Sequence, residues 1–164
     1  MDNCFNKISD NKTIKKASLY FSLTISAVLV LAAVGKILYP SEFLKTLDRW
    51  IGAFELLFVP AIIYFRKRWQ MWTVAAVIFA AWGGYALYWH CLELPCSCMG
   101  ASLHIPTKYS ISFDALIFVG SLFLGYRLKG VIEWTCLGVL SGCMSALVGY
   151  AFADWVYTFM VVRM

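Results

Sequence analysis

Charge is what this sequence has least of. Asp, Glu, Lys and Arg make up 14% of its 164 residues while 62% are hydrophobic, and soluble domains run nearer a quarter charged and half apolar. A chain so composed cannot cover a water-facing surface, which excludes an ordinary soluble domain. It also lacks a domain-sized linker, a low-complexity tract, an internal repeat and a small-x-small cleavage site after its first apolar run, so no cleavable leader is read at its start. Paired zinc-type cysteine spacing is missing too. The formal charge of +5 would suggest nucleic acid in a soluble protein; here the placement of Lys and Arg carries the information instead, and no nucleic-acid partner is expected.

What the chain does have is long apolar runs. A spanning helix needs roughly 17 to 25 predominantly apolar residues, because in lipid the backbone must satisfy its own hydrogen bonds. The expected fold is therefore an all-α integral membrane protein, with the lipid bilayer as its first partner. Spans are expected at 18–38, stopped by Tyr39-Pro40; at 50–65, short, kinked by Pro60 and ended by Arg66-Lys67-Arg68; at 69–90; from 111 to about 128; and at 134–162, long enough to tilt. The polar start, residues 1–17, reads as a cytoplasmic tail.

Lys7, Lys12, Lys15, Lys16, Arg66, Lys67, Arg68, Arg127 and Lys129 fall on one side of these spans, and Lys45, Arg49, Lys108 and Arg163 on the other. Nine against four predicts a cytoplasmic amino terminus and an outward loop 91–110, facing the periplasm if the membrane is a bacterial inner one. Most of that loop is the stretch "HCLELPCSCMGASLH", His90 to His104. Thiols there meet an oxidising compartment. A Cys96–Cys98 disulfide would close a small ring and exchange readily. Cys91 lies close enough to resolve such an exchange, and His90 would favour a thiolate if its imidazolium approached a sulfur. Two other readings stay open: a structural disulfide, and a copper(I) or zinc site using these cysteines with His90 or His104.

Ionisable residues inside spans are costly and face the bundle interior, paired with one another. Lys36, Glu55 and Asp114 are all expected at the depth of the cysteine loop, with Asp154 in the same half. Lys36 and Glu55 would bond and lock the first two helices together, as a structural tie or as part of a functional cluster. Gly138, Gly142, Ala146, Gly149 and Ala153 form a small-residue ridge that predicts close docking of the fifth helix on a neighbour. Cys136 and Cys143, about 10 Å apart along that helix, cannot bond each other and read as packing thiols. Trp50, Trp69, Trp72, Tyr85, Tyr88, Trp89, Tyr109 and Trp134 read as interfacial belts. Tyr85, Tyr88 and His90 would form a quinone pocket as the less common alternative; no other cofactor is indicated.

Three features together resemble the MauE and DoxX group of redox-associated membrane proteins: "GKILYPSEFLKTL" ending the first span, Glu55 in the second, and "CSCMG" before the fourth, followed by Asp114. MauE proteins typically carry Cys-Gly-Cys-Phe-Gly; Ser97 and Met99 depart from it, while Cys96, Cys98 and Gly100 match. The resemblance covers about residues 18 to 127. It implies a four-helix membrane core, here 18–128, to which residues 129–164 add a fifth helix, and it implies redox association at the membrane, as in methylamine dehydrogenase maturation or quinone-dependent sulfur oxidation, without fixing a client. The expected function is thiol-disulfide exchange or electron relay. Cys96, Cys98 and Cys91 are its chemical residues, with Lys36, Glu55, Asp114 and His90 in support. A periplasmic thioredoxin-like protein, a client protein or a quinone would be its partner. The alternatives are a non-enzymatic assembly factor and a metal-handling protein.

Overall fold

A computed structural model describes residues 2–40, 45–93, 106–129 and 132–163, with side-chain surroundings given for 13–159 except 129 and 132–135 among these. The described chain is all helix: α1 Asp2–Leu38, α2 Lys45–Phe65, α3 Trp69–Cys91, α4 Thr107–Lys129 and α5 Ile132–Arg163. It is an all-α membrane bundle. Four helices contain stretches long and apolar enough to cross a bilayer, Thr13–Leu38, Trp69–Cys91, Thr107–Leu128 and Cys136–Phe159. Helix α2 is set apart by Lys45, Asp48, Arg49 and Glu55 in its first half.

The helices start earlier than hydropathy alone suggests. Helix α1 has 37 residues and incorporates the polar start, because the first glycine is Gly35 and the first proline Pro40. Nothing upstream breaks a helix. Helix α2 adds a polar first turn ahead of residue 50 and runs through Pro60 without interruption.

Packing divides the bundle into two groups. Helices α1 and α2 form one closely paired unit; α3 packs extensively on both α4 and α5 in the other, and between the groups the backbones come close only over limited α1–α4 and α2–α3 stretches among the described residues. Where they meet, the seam is closed at one end by Ile25, Leu29, Phe58, Ile62, Trp72 and Phe79, with Ile117 and Leu124. The same end carries a polar knot. The Arg66 carbonyl accepts hydrogen bonds from Ser18 Oγ at 2.9 Å and Trp72 Nε1 at 2.8 Å, so α1 and α3 both fasten to the end of α2. At the other end, where the cysteine segment leaves α3, Ala86, Tyr88, Trp89, Ala153 and Val156 form a smaller cluster with Leu47 of α2 against it.

The ridge of small residues on α5 docks as its spacing predicts. A Cβ added at Gly84 would lie 2.0 Å from the Ala146 carbonyl oxygen, and one at Gly149 would lie 1.9 Å from that of Ala81. Glycine is therefore obligatory at both places, since the opposing atom is backbone and cannot swing away. Gly142 and Gly138 face Phe118 and Leu122 of α4, and Ala153 is fully buried.

Several aromatic and cysteine assignments change. Trp50 and Tyr109 are exposed as belt residues would be, but Trp72, Tyr88 and Trp89 are buried: each packs between helices, and Trp72 spends its indole N–H on the Arg66 carbonyl. Trp134 lies outside the residues whose side chains are described. Cys136 and Cys143 are exposed free thiols rather than packing groups, because the ridge turns the opposite face of α5 inward. Substituting Gly84 or Gly149 by Ala is expected to lower stability by about 2–3 kcal/mol through overpacking. Gly83→Ala, whose added Cβ would sit an ordinary 3.5 Å from Asp114 Cβ, should leave stability unchanged or slightly raised. Unfolding midpoints of the three variants in one detergent check this; equal losses at Gly83 and Gly84 would refute the backbone-contact account.

Candidate functional site

The buried face of α2 reads Asp48, Gly52, Glu55, Phe58, Ile62, one residue per turn along a stripe that presents two carboxyl groups inward. Gly52 lets α1 approach. A Cβ there would come within 3.0 Å of both the Ala33 carbonyl oxygen and an Ile37 side-chain carbon. This close contact places the last turns of α1 against the middle of α2, and Lys36 Nζ donates to Glu55 Oε1 in a buried salt bridge. Lys36 is 6% exposed and Glu55 2%. The ammonium also lies 5.8 Å from the centroid of the Trp82 ring on α3, within cation–π reach.

Asp114 completes the group from α4. It is 7% exposed and within electrostatic reach of both Lys36 and Glu55. Asp48, buried in the first turn of α2, lies within reach of Glu55 in the same way. These residues line a cavity of about 360 Å³ in the seam, with Phe79, Trp82, Phe113 and Phe152 among its apolar walls. Lys36, Glu55 and Asp114, expected at one depth, are thus brought together. Asp48 and Trp82 were not expected there: Asp48 reads as a loop residue beside Lys45 and Arg49, and only its spacing of seven from Glu55 signals a shared helix face.

The other sequence candidates are distributed differently. Cys91 is an exposed free thiol at the last residue of α3, and His90 beside it is exposed. Cys96, Cys98 and His104 lie outside the described residues. Tyr85, Tyr88 and His90 do not converge on one pocket. Tyr85 lines the seam cavity, Tyr88 donates instead to Asp154 Oδ1 on α5 at 2.9 Å, and His90 faces outward.

No protein-family model, curated protein or solved structure matches the chain. The site consists of an ion pair and two further carboxyl groups held in a cavity between two helix groups, at the end where the cysteine segment begins and ends.

Burying two charges is favourable only if they stay paired, and removing one partner strands the other in a low-dielectric setting. Glu55→Gln or Lys36→Met should each lower stability by about 3–5 kcal/mol, whereas Lys36→Met combined with Glu55→Leu should recover most of it. A double-mutant cycle on unfolding in detergent measures the coupling, and simple additivity would show that the pair contributes nothing as a pair.

Proposed function

We propose that the protein is a redox-associated membrane protein of the MauE and DoxX kind, carrying out thiol-disulfide exchange or electron relay at Cys96 and Cys98. The observation that carries this reading is the convergence of Lys36, Glu55 and Asp114 on one cavity. The three come from separate segments, and each belongs to a feature on which the family resemblance rests. Helix α3 delivers the chain to the cysteine segment at Cys91, and α4 receives it at Thr107, seven residues before Asp114. The polar cavity and the cysteine segment therefore share one end of the bundle.

In the proposed exchange, a thiolate of a thioredoxin-like partner attacks one sulfur of the Cys96–Cys98 disulfide, and the other sulfur leaves as a thiolate that takes up a proton. The second partner thiol then attacks the mixed disulfide, so the partner ends as a disulfide and Cys96 and Cys98 end as thiols; the reverse sequence oxidises them again. Cys91, exposed and one residue from His90, serves as the alternative resolving thiol. The buried carboxyl groups support the reading because each full reduction or oxidation moves two protons as well as two electrons, and they stand at the end of the bundle where those protons are exchanged. The charge bias of the loops supports an orientation with this end outside the cytoplasm, where thiol oxidation is sustained.

Trapping tests the reading directly. In a background with Cys4, Cys91, Cys136 and Cys143 changed to Ser, Cys96→Ala or Cys98→Ala should accumulate mixed disulfides with a partner in membranes, and the double variant should accumulate none. A membrane-impermeant thiol reagent should label the reduced wild-type loop from outside intact cells. Loss of stability in the single variants with no trapped partner would favour an assembly factor with a structural disulfide; copper(I) or zinc binding lost in the same variants, without cycling, would favour metal handling.

A further inference from the structure

The seam cavity has more acid than its base can balance. Among the described residues, Lys36 is its single basic lining side chain, while Glu55 and Asp114 both face it as buried carboxyl groups. Asp48 is a third, with an interaction of its own. Lys36 occupies Glu55 Oε1, and Glu55 Oε2, also buried, has no hydrogen-bond partner among the described residues. A buried carboxylate oxygen without a donor is costly, and Glu55 is one of the residues lining a space large enough for a small molecule, about 360 Å³ in a range of roughly 300–1,000 Å³ for ligand pockets.

The walls narrow the chemistry further. Phe79, Trp82, Tyr85, Phe113 and Phe152 set aromatic rings into a lining that is otherwise mostly aliphatic, and the approach of Lys36 to Trp82 shows that this ring accepts a cation. An anionic head would meet the excess of carboxyl groups. A metal ion would need several converging ligands, and no group of three or more His, Cys, Asp or Glu side chains positioned to hold one occurs among the described residues. The cavity is also approachable from the side: Val148 and Phe152 on α5 line it and are 65% and 41% exposed on the surface of the bundle. An apolar body can therefore enter from the bilayer.

We propose that the seam cavity binds a small organic ammonium with an aromatic body, its head bonded to Glu55 Oε2 and Asp114 and its ring against Trp82 and Phe113. The ligand ammonium and Lys36 then share the Glu55 carboxylate, one on each oxygen, and two cations balance Glu55 and Asp114. Three N–H donors on a primary ammonium are sufficient for both acceptors. The site goes beyond the redox reading and does not rest on it, since no thiol takes part.

The full chain in phosphatidylcholine nanodiscs, titrated near neutral pH with phenethylamine, which is then a cation, and with the neutral 2-phenylethanol of similar shape, tests the assignment by calorimetry and tryptophan fluorescence. Saturable binding of the ammonium at least about tenfold tighter than the alcohol is expected. Asp114→Asn and Glu55→Gln should each remove most of that preference, and Asp154→Asn, on the far side of Tyr88, should retain it. Absence of saturable ammonium binding, equal affinity for the alcohol, or an unchanged preference in Asp114→Asn would each overturn the proposal. If Glu55→Gln fails to fold, the wild-type ratio and Asp114→Asn still decide it. Neither probe exchanges with thiols, so the outcome is separate from that of the trapping experiment.

Discussion

A charge buried in a bilayer-spanning bundle must find its partner before the helices around it can settle. Lys36 and Glu55 meet that requirement across α1 and α2, and the approach is close enough that a Cβ at position 52 would crowd the Ala33 carbonyl. The pair fixes the two helices in rotation as well as in height, since a turn of either would carry its charge toward lipid. From this follow the inward direction of the α2 stripe, the position of Asp48 two turns above Glu55, and the polar character of the seam facing the second group of helices.

Stability and chemistry occupy different lengths of the same seam. One end is filled with interdigitated side chains and tied by the Arg66 carbonyl to α1 and α3. Farther along, the cavity lies between the two groups, and beyond it Tyr88, Trp89 and Val156 pack with Leu47 of α2 against them. Polar residues that would weaken a packed interior stand where the two groups are already apart, so the site does not interrupt the core.

Much of this architecture was legible in the residues and some was not, for physical reasons. Apolar runs of spanning length identify the helices because lipid permits few other structures. The depth of Lys36, Glu55 and Asp114 could be counted from the span ends, and the small-residue ridge of α5 announced a close contact. The direction in which each helix faces was harder to read. In lipid the outside of a helix is as apolar as the inside, so hydrophobic periodicity does not separate Cys136 and Cys143, which are exposed, from Ala153, which is buried. Trp72 and Trp89 look like belt residues for the same reason: an indole near a span end suits both the interface and a helix contact, and it is the packing of a neighbouring helix over each ring that distinguishes them. Asp48 was hidden by its neighbours Lys45 and Arg49, which make a helix turn resemble a loop.

The contact between α3 and α5 is made by main chain meeting main chain, at Gly84 with Ala146 and at Gly149 with Ala81. Its fit therefore depends on the absence of side chains at two positions, with Ala153, Asp154 and Val156 completing the contact farther along, and hardly at all on the residues of the outward face of α5. Leu140, Met144, Leu147 and Trp155, all on the exposed face, are free to change in size and length with the thickness and composition of the surrounding lipid while the seat of the helix stays the same. The bundle can thus be tuned to different membranes on its outer surface without altering the seam that its inner surface encloses.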